Sequence, residues 1–350
     1  MQASRLEPMP SPAFGARDDV QARVPEIAVG LSRVGVTGVE KVVRIRSGLF
    51  FARFDCFVDL SALQKGAHMS RFDEVINEAI GEVVLSEAPF RAETLAQHIA
   101  ELVRSRQSAE RAEVTLAARY PEHKPAPVSG LQTQEIYTLH GRAVALPHGT
   151  RRMVGVSATG ITACPCAQQL LAERSSKRLA ADGFSPKQIE LILEDVPVAT
   201  HNQRGLATLH IGCREDCSEE IDATTLLEIA ESSMSSEIYE LMKRSDEAEV
   251  VEKAHRRPRF VEDCVREMIA GVVRAYPHLD GASFVSARQE NLETIHQHNV
   301  VAERSGLLSE LREEIATGTL APRQTSLAEW LEGHGRGPSG RGSNDTGRGA

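Results

Sequence analysis

Hydrophobic residues recur along this chain with two periods, and the change from one to the other marks out its elements. Alternation rich in Val, Ile and Phe predicts strands over residues 41–46 and 49–60, joined at Ser47-Gly48. Apolar positions three and four apart then predict helices over 69–84 and 92–106, and a strand returns at 112–120. The same order recurs: strands over 151–162 and 206–213, helices over 223–243 and 259–276, and a closing strand over 282–291. Each half reads strand, strand, helix, helix, strand, which points to duplication. The division is a polar, Pro-rich arm over 1–25, units over 26–150 and 151–302, and an appendage over 303–350. Within the appendage, 306–315 and the surroundings of Trp330 are amphipathic, and GHGRGPSGRGSNDTGRGA is too rich in Gly and Ser to bury a core, so the appendage is expected to be largely disordered.

Composition narrows the function classes. With 350 residues, 41% apolar and 25% charged, the chain is ordinary for a globular protein. Its net charge of −9 argues against a nucleic-acid partner, which usually needs a basic face. No apolar run is long enough for a membrane span or a signal peptide, so no membrane partner is expected. Six scattered cysteines lack the density of a secreted disulfide framework, and the expected compartment is a reducing cytoplasm. Cys213 and Cys217 bracket Arg-Glu-Asp and read either as two ordinary thiols or as an accessory metal or disulfide pair.

Four short segments carry candidate chemistry: Cys164-Pro165-Cys166, His201-Asn202-Gln203-Arg204, Asp246-Glu247, and Glu293 with His296. One thiolate, one imidazole and one carboxylate can hold a divalent ion and leave a fourth position open for water, as catalytic sites require. Pro165 fixes the backbone between Cys164 and Cys166, and only one of them is expected to be a ligand; the other is a buried neighbour or a potential disulfide partner. Lys65-Gly66-Ala67-His68-Met69-Ser70-Arg71 in the first half echoes His201 to Arg204 in the second, each placing a His three residues before an Arg.

Several motifs in one order resemble the type IB GTP cyclohydrolases and their relatives that start methanopterin synthesis in archaea. They are KGAHMSR at 65–71, CPC at 164–166, HNQRG at 201–205, YELMKRSDE at 239–247, PRFVEDCVR at 258–266 and ENLETIHQH at 290–298. The resemblance spans about residues 38–302. It implies an α+β tunnelling fold: two tandem ββααβ units with antiparallel sheets, associating into an oligomeric barrel with active sites at subunit interfaces. It also implies one divalent ion per site, Fe2+, Mn2+ or Zn2+, held by Cys164, His201 and Glu247. By the same resemblance Glu293 and His296 form the acid/base pair, and Glu262 anchors guanine by accepting its N1–H and N2 amino protons. Candidates to meet the triphosphate are Lys65, His68, Arg71, Arg204, Lys243 and Arg244.

The implied reaction opens the imidazole ring of GTP, releases formate and forms 7,8-dihydroneopterin triphosphate. Two departures lean toward the methanopterin branch, whose product is a dihydroneopterin 2',3'-cyclic phosphate and whose metal is ferrous iron. The 34 residues 167–200 separate the CPC and HNQR segments, with a predicted helix over 186–194, where the common bacterial members have a much shorter spacing. Ala167-Gln168 also follows the cysteines in place of Ser-Lys. Two readings of other classes remain: a non-catalytic zinc- or nucleotide-binding protein, which would have little use for Glu293 and His296, and a dithiol redox module, which would normally space its cysteines by two residues.

Overall fold

A computed structural model of the chain describes residues 20–45, 48–85 and 91–333. The first half runs β1 (Leu31–Ile45), β2 (Gly48–Leu60), α1 (Met69–Leu85), α2 (Ala92–Gln107), β3 (Ala112–Pro125) and β4 (Gln132–Leu146). The second runs β5 (Gly149–Ala163), α3 (Pro165–Ala181), α4 (Pro186–Asp195), β6 (Asn202–Arg214), α5 (Ala223–Ser233), β7 (Ser236–Glu237), α6 (Arg244–Arg256), α7 (Val261–Ala275), β8 (Phe284–Leu292) and β9 (Val300–Leu307). Two short helices follow, α8 (Leu308–Thr317) and α9 (Leu327–Leu331).

The expected tunnelling fold of two tandem ββααβ units closing into a barrel is corrected by the sheet itself. Among the described residues the nine strands form one antiparallel sheet ordered β1-β2-β3-β4-β5-β6-β8-β9, with β7 against β5. The cause is β4, a strand the sequence reading did not anticipate. It pairs with β3 from Ala112↔Ala145 to Pro125↔Gln132 and with β5 from Leu146↔Gly149 to Thr138↔Ser157, so the two halves fuse into a single sheet. The α+β class stands. The predicted turn at Ser47, residues 1–19 of the arm and residues 334–350 of the appendage lie outside the described residues.

Alternation along the strands puts the apolar positions on one face, where α1, α2, α5 and α7 cover them. On β6 the residues Gln203, Gly205, Ala207, Leu209 and Ile211 are buried, while Asn202, Arg204 and Leu206 between them are exposed. Phe54, Phe72, Ile76, Leu95, Ile99, Leu116, Leu209, Leu226 and Met268 form one continuous core under both helix pairs. Helix α7 contributes Val261, Cys264, Val265, Met268, Ile269 and Val272, spaced by three and four residues as an amphipathic helix requires.

The helix predicted over 223–243 stops at Ser233. Ser232 and Ser233 turn their hydroxyls back onto the carbonyls of Ile229 and Ala230, and Ser235 N–H donates to Ile161 O, so a serine-rich run trades helix bonds for sheet bonds. A separate helix, α6, then begins at Arg244. In the long insertion the expected helix is present as α4, capped by Ser185 and Gln188, and an unanticipated helix, α3, precedes it with Pro165 in its first turn. Neither α3 nor α4 buries a residue.

The face opposite α1, α2, α5 and α7 carries polar groups. His140 Nε2 meets Ser157 Oγ at 2.9 Å, Ser157 Oγ meets Thr208 Oγ1 at 3.0 Å, and the His140 and His210 rings lie 5.2 Å apart. At one end of this face Trp330, 2% exposed, packs with Phe284, Met153 and Val144, and its indole N–H donates to Ala282 O at 3.0 Å. A Cβ on Gly212 would meet that indole ring at 2.5 Å, so glycine is required there.

Candidate active site

Three strand ends and a helix start converge on one cavity. The β5–β6 pairing finishes at Ala163↔Asn202, and beyond it Cys164 N–H donates to His201 O at 3.1 Å while Thr200 Oγ1 donates to Cys164 O at 2.9 Å. Arg259 N–H donates to Ala163 O, and its guanidinium donates to Ser233 O at 2.7 Å, which suspends the start of α7 from the end of β5. Strand β8 pairs with β6 as far as Arg204↔Leu292, so Glu293 emerges beside Gln203. The cavity encloses about 480 Å³ and is lined by Cys164, His201, Glu262, Glu293 and His296 together with Gln203, Arg259, Phe260, Asn291 and His298.

Its polar network is specific. His201 Nδ1 lies 3.1 Å from Gln203 Oε1, and Gln203 Nε2 donates to Glu293 Oε1 at 3.3 Å. Glu293 Oε2 is 3.8 Å from His201 Nδ1 and is buried without a hydrogen-bond partner. The side chains of His201 and Glu293 are 15% and 7% exposed. The His296 ring stands edge-on to His201 at 6.5 Å and stacks on His298 at 5.1 Å. Cys164 is half-buried as the N-cap of α3, whereas Cys166, within the first turn, is exposed and does not line the cavity.

Five of the expected site residues therefore meet in one cavity: Cys164, His201, Glu262, Glu293 and His296. The others lie outside its lining. Glu247 is exposed on the first turn of α6. Its neighbour Asp246 is fully buried and accepts from Val128 N–H, Ser129 N–H, Ser129 Oγ and Lys243 N–H. Burial opposes its charge, but those four bonds outweigh burial and hold the carboxyl well below the usual range. Asp246 is thus the anchor of α6 rather than a ligand. Lys65, Arg204, Lys243 and Arg244 are exposed. Arg71 donates to Arg106 O at 3.0 Å, and the backbone of His68 is bracketed by the Gln107 amide.

Among the described residues no three His, Cys, Asp or Glu side chains of one chain gather closely enough to hold a metal. The fit to a divalent ion is accordingly partial: a thiol and an imidazole face the cavity beside an unpartnered carboxylate oxygen, and the expected third ligand, Glu247, is elsewhere. Gln203, Asn291, Phe260 and His298 were given no role from the sequence. All four lie inside the motifs at 201–205, 258–266 and 290–298, which was the available signal; the role of Gln203 was hidden because it acquires its place through a register shared with β8. The cysteines are free, and burial pushes the Cys213 thiol up to about 12.

The profile of the type I GTP cyclohydrolase folE2 family matches residues 18–302. The chain belongs to this family. It is 42% identical over 313 residues to the GTP cyclohydrolase MptA of Methanococcus maripaludis, covering 86% of this chain and 99% of that protein. It is 41% identical over 304 residues to GTP cyclohydrolase MptA 1 of Methanocella arvoryzae (85% and 96% covered) and to the MptA of Haloarcula marismortui (85% and 97%). Among solved structures it resembles the uricases of Bacillus fastidious, with TM-score 0.45 at 10% identity over 87% of this chain and 100% of that one, and of Arthrobacter globiformis, with 0.46 at 6% over 80% and 95%. Among the described residues no helix is long and apolar enough to cross a membrane.

Proposed function

We propose that this family member is a GTP cyclohydrolase whose chemistry takes place in the cavity at the ends of β5, β6 and β8. The single observation that carries the reading is the meeting of Cys164, His201, Glu262, Glu293 and His296, drawn from four separate segments, in one cavity of about 480 Å³. Guanine is anchored by Glu262, exposed in the first turn of α7. A carboxylate accepts the adjacent N1–H and N2 amino protons, and adenine, with an acceptor at N1, cannot satisfy it.

Opening the imidazole ring requires water to add at C8 and a proton to reach N7. His296 is the proton carrier, with Glu293 as its acidic partner across the cavity. Cys164 and His201 are the residues that would hold a divalent ion, which supplies Lewis acidity toward the attacking water. Hydrolysis of the formyl group then releases formate, and the remaining steps toward the pterin ring are further proton transfers within reach of the same pair.

The product we favour is 7,8-dihydroneopterin 2',3'-cyclic phosphate rather than the triphosphate; it forms when a hydroxyl of the pterin's side chain attacks the α-phosphorus, the bond to the β-phosphate breaks and pyrophosphate leaves. Support comes from the relatives named MptA at 41–42% identity and from the insertion that forms α3 and α4 between Cys164 and His201. A homo-oligomer accounts for the residues left outside the cavity: Glu247, Lys65, Arg204, Lys243 and Arg244 are exposed and so available to a neighbouring copy's site. Anaerobic incubation with GTP and ferrous iron, manganese or zinc, with the pterin identified by mass, tests the whole reading. Absence of formate, or turnover that survives exhaustive chelation, refutes it.

A further inference from the structure

The hydrogen bonds around Gln203 determine how two of the proposed site residues present themselves. Gln203 is 6% exposed on β6, and its amide spans the gap between His201 and Glu293. A carboxylate only accepts, so the amide nitrogen must face Glu293 and the amide oxygen must face His201. The reversed amide would set two acceptors, its own oxygen and the carboxylate, against each other at Glu293. The oxygen in turn only accepts, so the proton on His201 must sit on Nδ1. A neutral imidazole protonated at Nδ1 leaves its lone pair on Nε2.

We infer that Gln203 is the positioning residue of this site: it fixes His201 as the Nδ1–H tautomer, offering Nε2 to a divalent cation, and holds Glu293 by one oxygen so that Oε2 stays unpaired for chemistry. The inference rests on the proposed function for its meaning, but not for its geometry. The two tasks are linked. Glu293 Oε2 lies 3.8 Å from His201 Nδ1 and competes for the same proton. Gln203 Oε1, at 3.1 Å, accepts the hydrogen bond from that N–H instead, and the carboxylate oxygen is left buried without a partner. Partners of this kind set the ring orientation and basicity of a histidine ligand, and losing one costs about 10–100-fold in metal affinity.

Three measurements on the full-length protein test it. In metal-free wild type, long-range proton–nitrogen correlation of the histidine rings should show His201 protonated at Nδ1; protonation at Nε2 overturns the inference and requires no variant to fold. Zn2+ affinity, by competition with a chromophoric chelator, should fall about 10–100-fold in Gln203→Leu. Gln203→Glu keeps an acceptor for His201 and should restore Zn2+ affinity to the wild-type range. It also removes the donor from Glu293 and adds a second carboxylate, so kcat should fall while KM for GTP, set by Glu262, stays the same. Wild-type affinity in the Leu variant, or a Glu variant that binds Zn2+ no better than Leu, overturns the proposal. Should the wild type bind Zn2+ as described yet release no formate from GTP, only the functional reading fails.

Discussion

Acid should destabilise this fold through His210. Its imidazole sits on β6 against His140, over Gly155, where an added Cβ would meet the ring at 2.2 Å. Burial first, then the neighbouring charges of His140 and Arg142, push it from 6.5 down to about 3. The sign follows from linkage: the unfolded chain takes up a proton below 6.5 while the native ring stays neutral, so stability is full above 6.5 and is lost as pH falls toward 3. At pH 5 the native ring is still neutral, and the loss is therefore set by the unfolded state alone, about 1.4 kcal/mol per pH unit below 6.5 or about 2 kcal/mol relative to pH 7. Urea unfolding of wild type and His210→Gln at pH 7 and pH 5 isolates this contribution from the other titrating groups. The glutamine variant should lose about 2 kcal/mol less than wild type over that interval. Equal losses in the two proteins would show that the native ring takes up its proton at the usual pH, and the buried neutral placement would be refuted.

Trp330→Ala should destabilise the protein by about 3–5 kcal/mol, read by thermal or urea unfolding, because the indole is 2% exposed and closes the core around Phe284. Asp246→Ala strands four donors and should cost on the order of 3 kcal/mol with loss of α6 protection in hydrogen exchange, whereas an unchanged Tm would contradict its anchoring role. Cys164→Ala should lose bound metal while Cys166→Ala retains it, and the reverse ranking would move the ligand to the exposed cysteine. If neighbouring copies complete the site, mixing Glu247→Ala with His296→Ala protein should recover part of the activity that each lacks alone.

Much of the site was legible because its residue types are chemically demanding and sit in compact motifs. The segments at 164–166, 201–205, 258–266 and 290–298 all reach the cavity, whatever the path of the chain between them. The fold was less legible where polar residues hid a strand. The stretch from Gln132 to Leu146 carries Gln132, Gln134, Thr138, His140 and Arg142 on the face opposite the helix pairs and buries Thr133 and Glu135 on the other, so its alternation did not stand out, and missing it split one sheet into two. Serines ended α5 through bonds to backbone carbonyls, which periodicity does not register. Residues 303–333 of the appendage hold the end of β9, α8, α9 and the buried Trp330, because amphipathic pieces too short to stand alone gain a core to pack on. Glu247 was placed by motif, and its exposure on α6 became visible only once the fate of Asp246 was known.

The central claim is tested most directly by formate release from GTP in the presence of a divalent ion, comparing wild type with His296→Ala and assaying ATP alongside. The account predicts formate from GTP and none from ATP, a pterin product with the mass of the cyclic phosphate, and turnover lowered by about 10²–10⁴-fold in His296→Ala with metal content unchanged. Equal use of ATP, or full activity in His296→Ala, would contradict it.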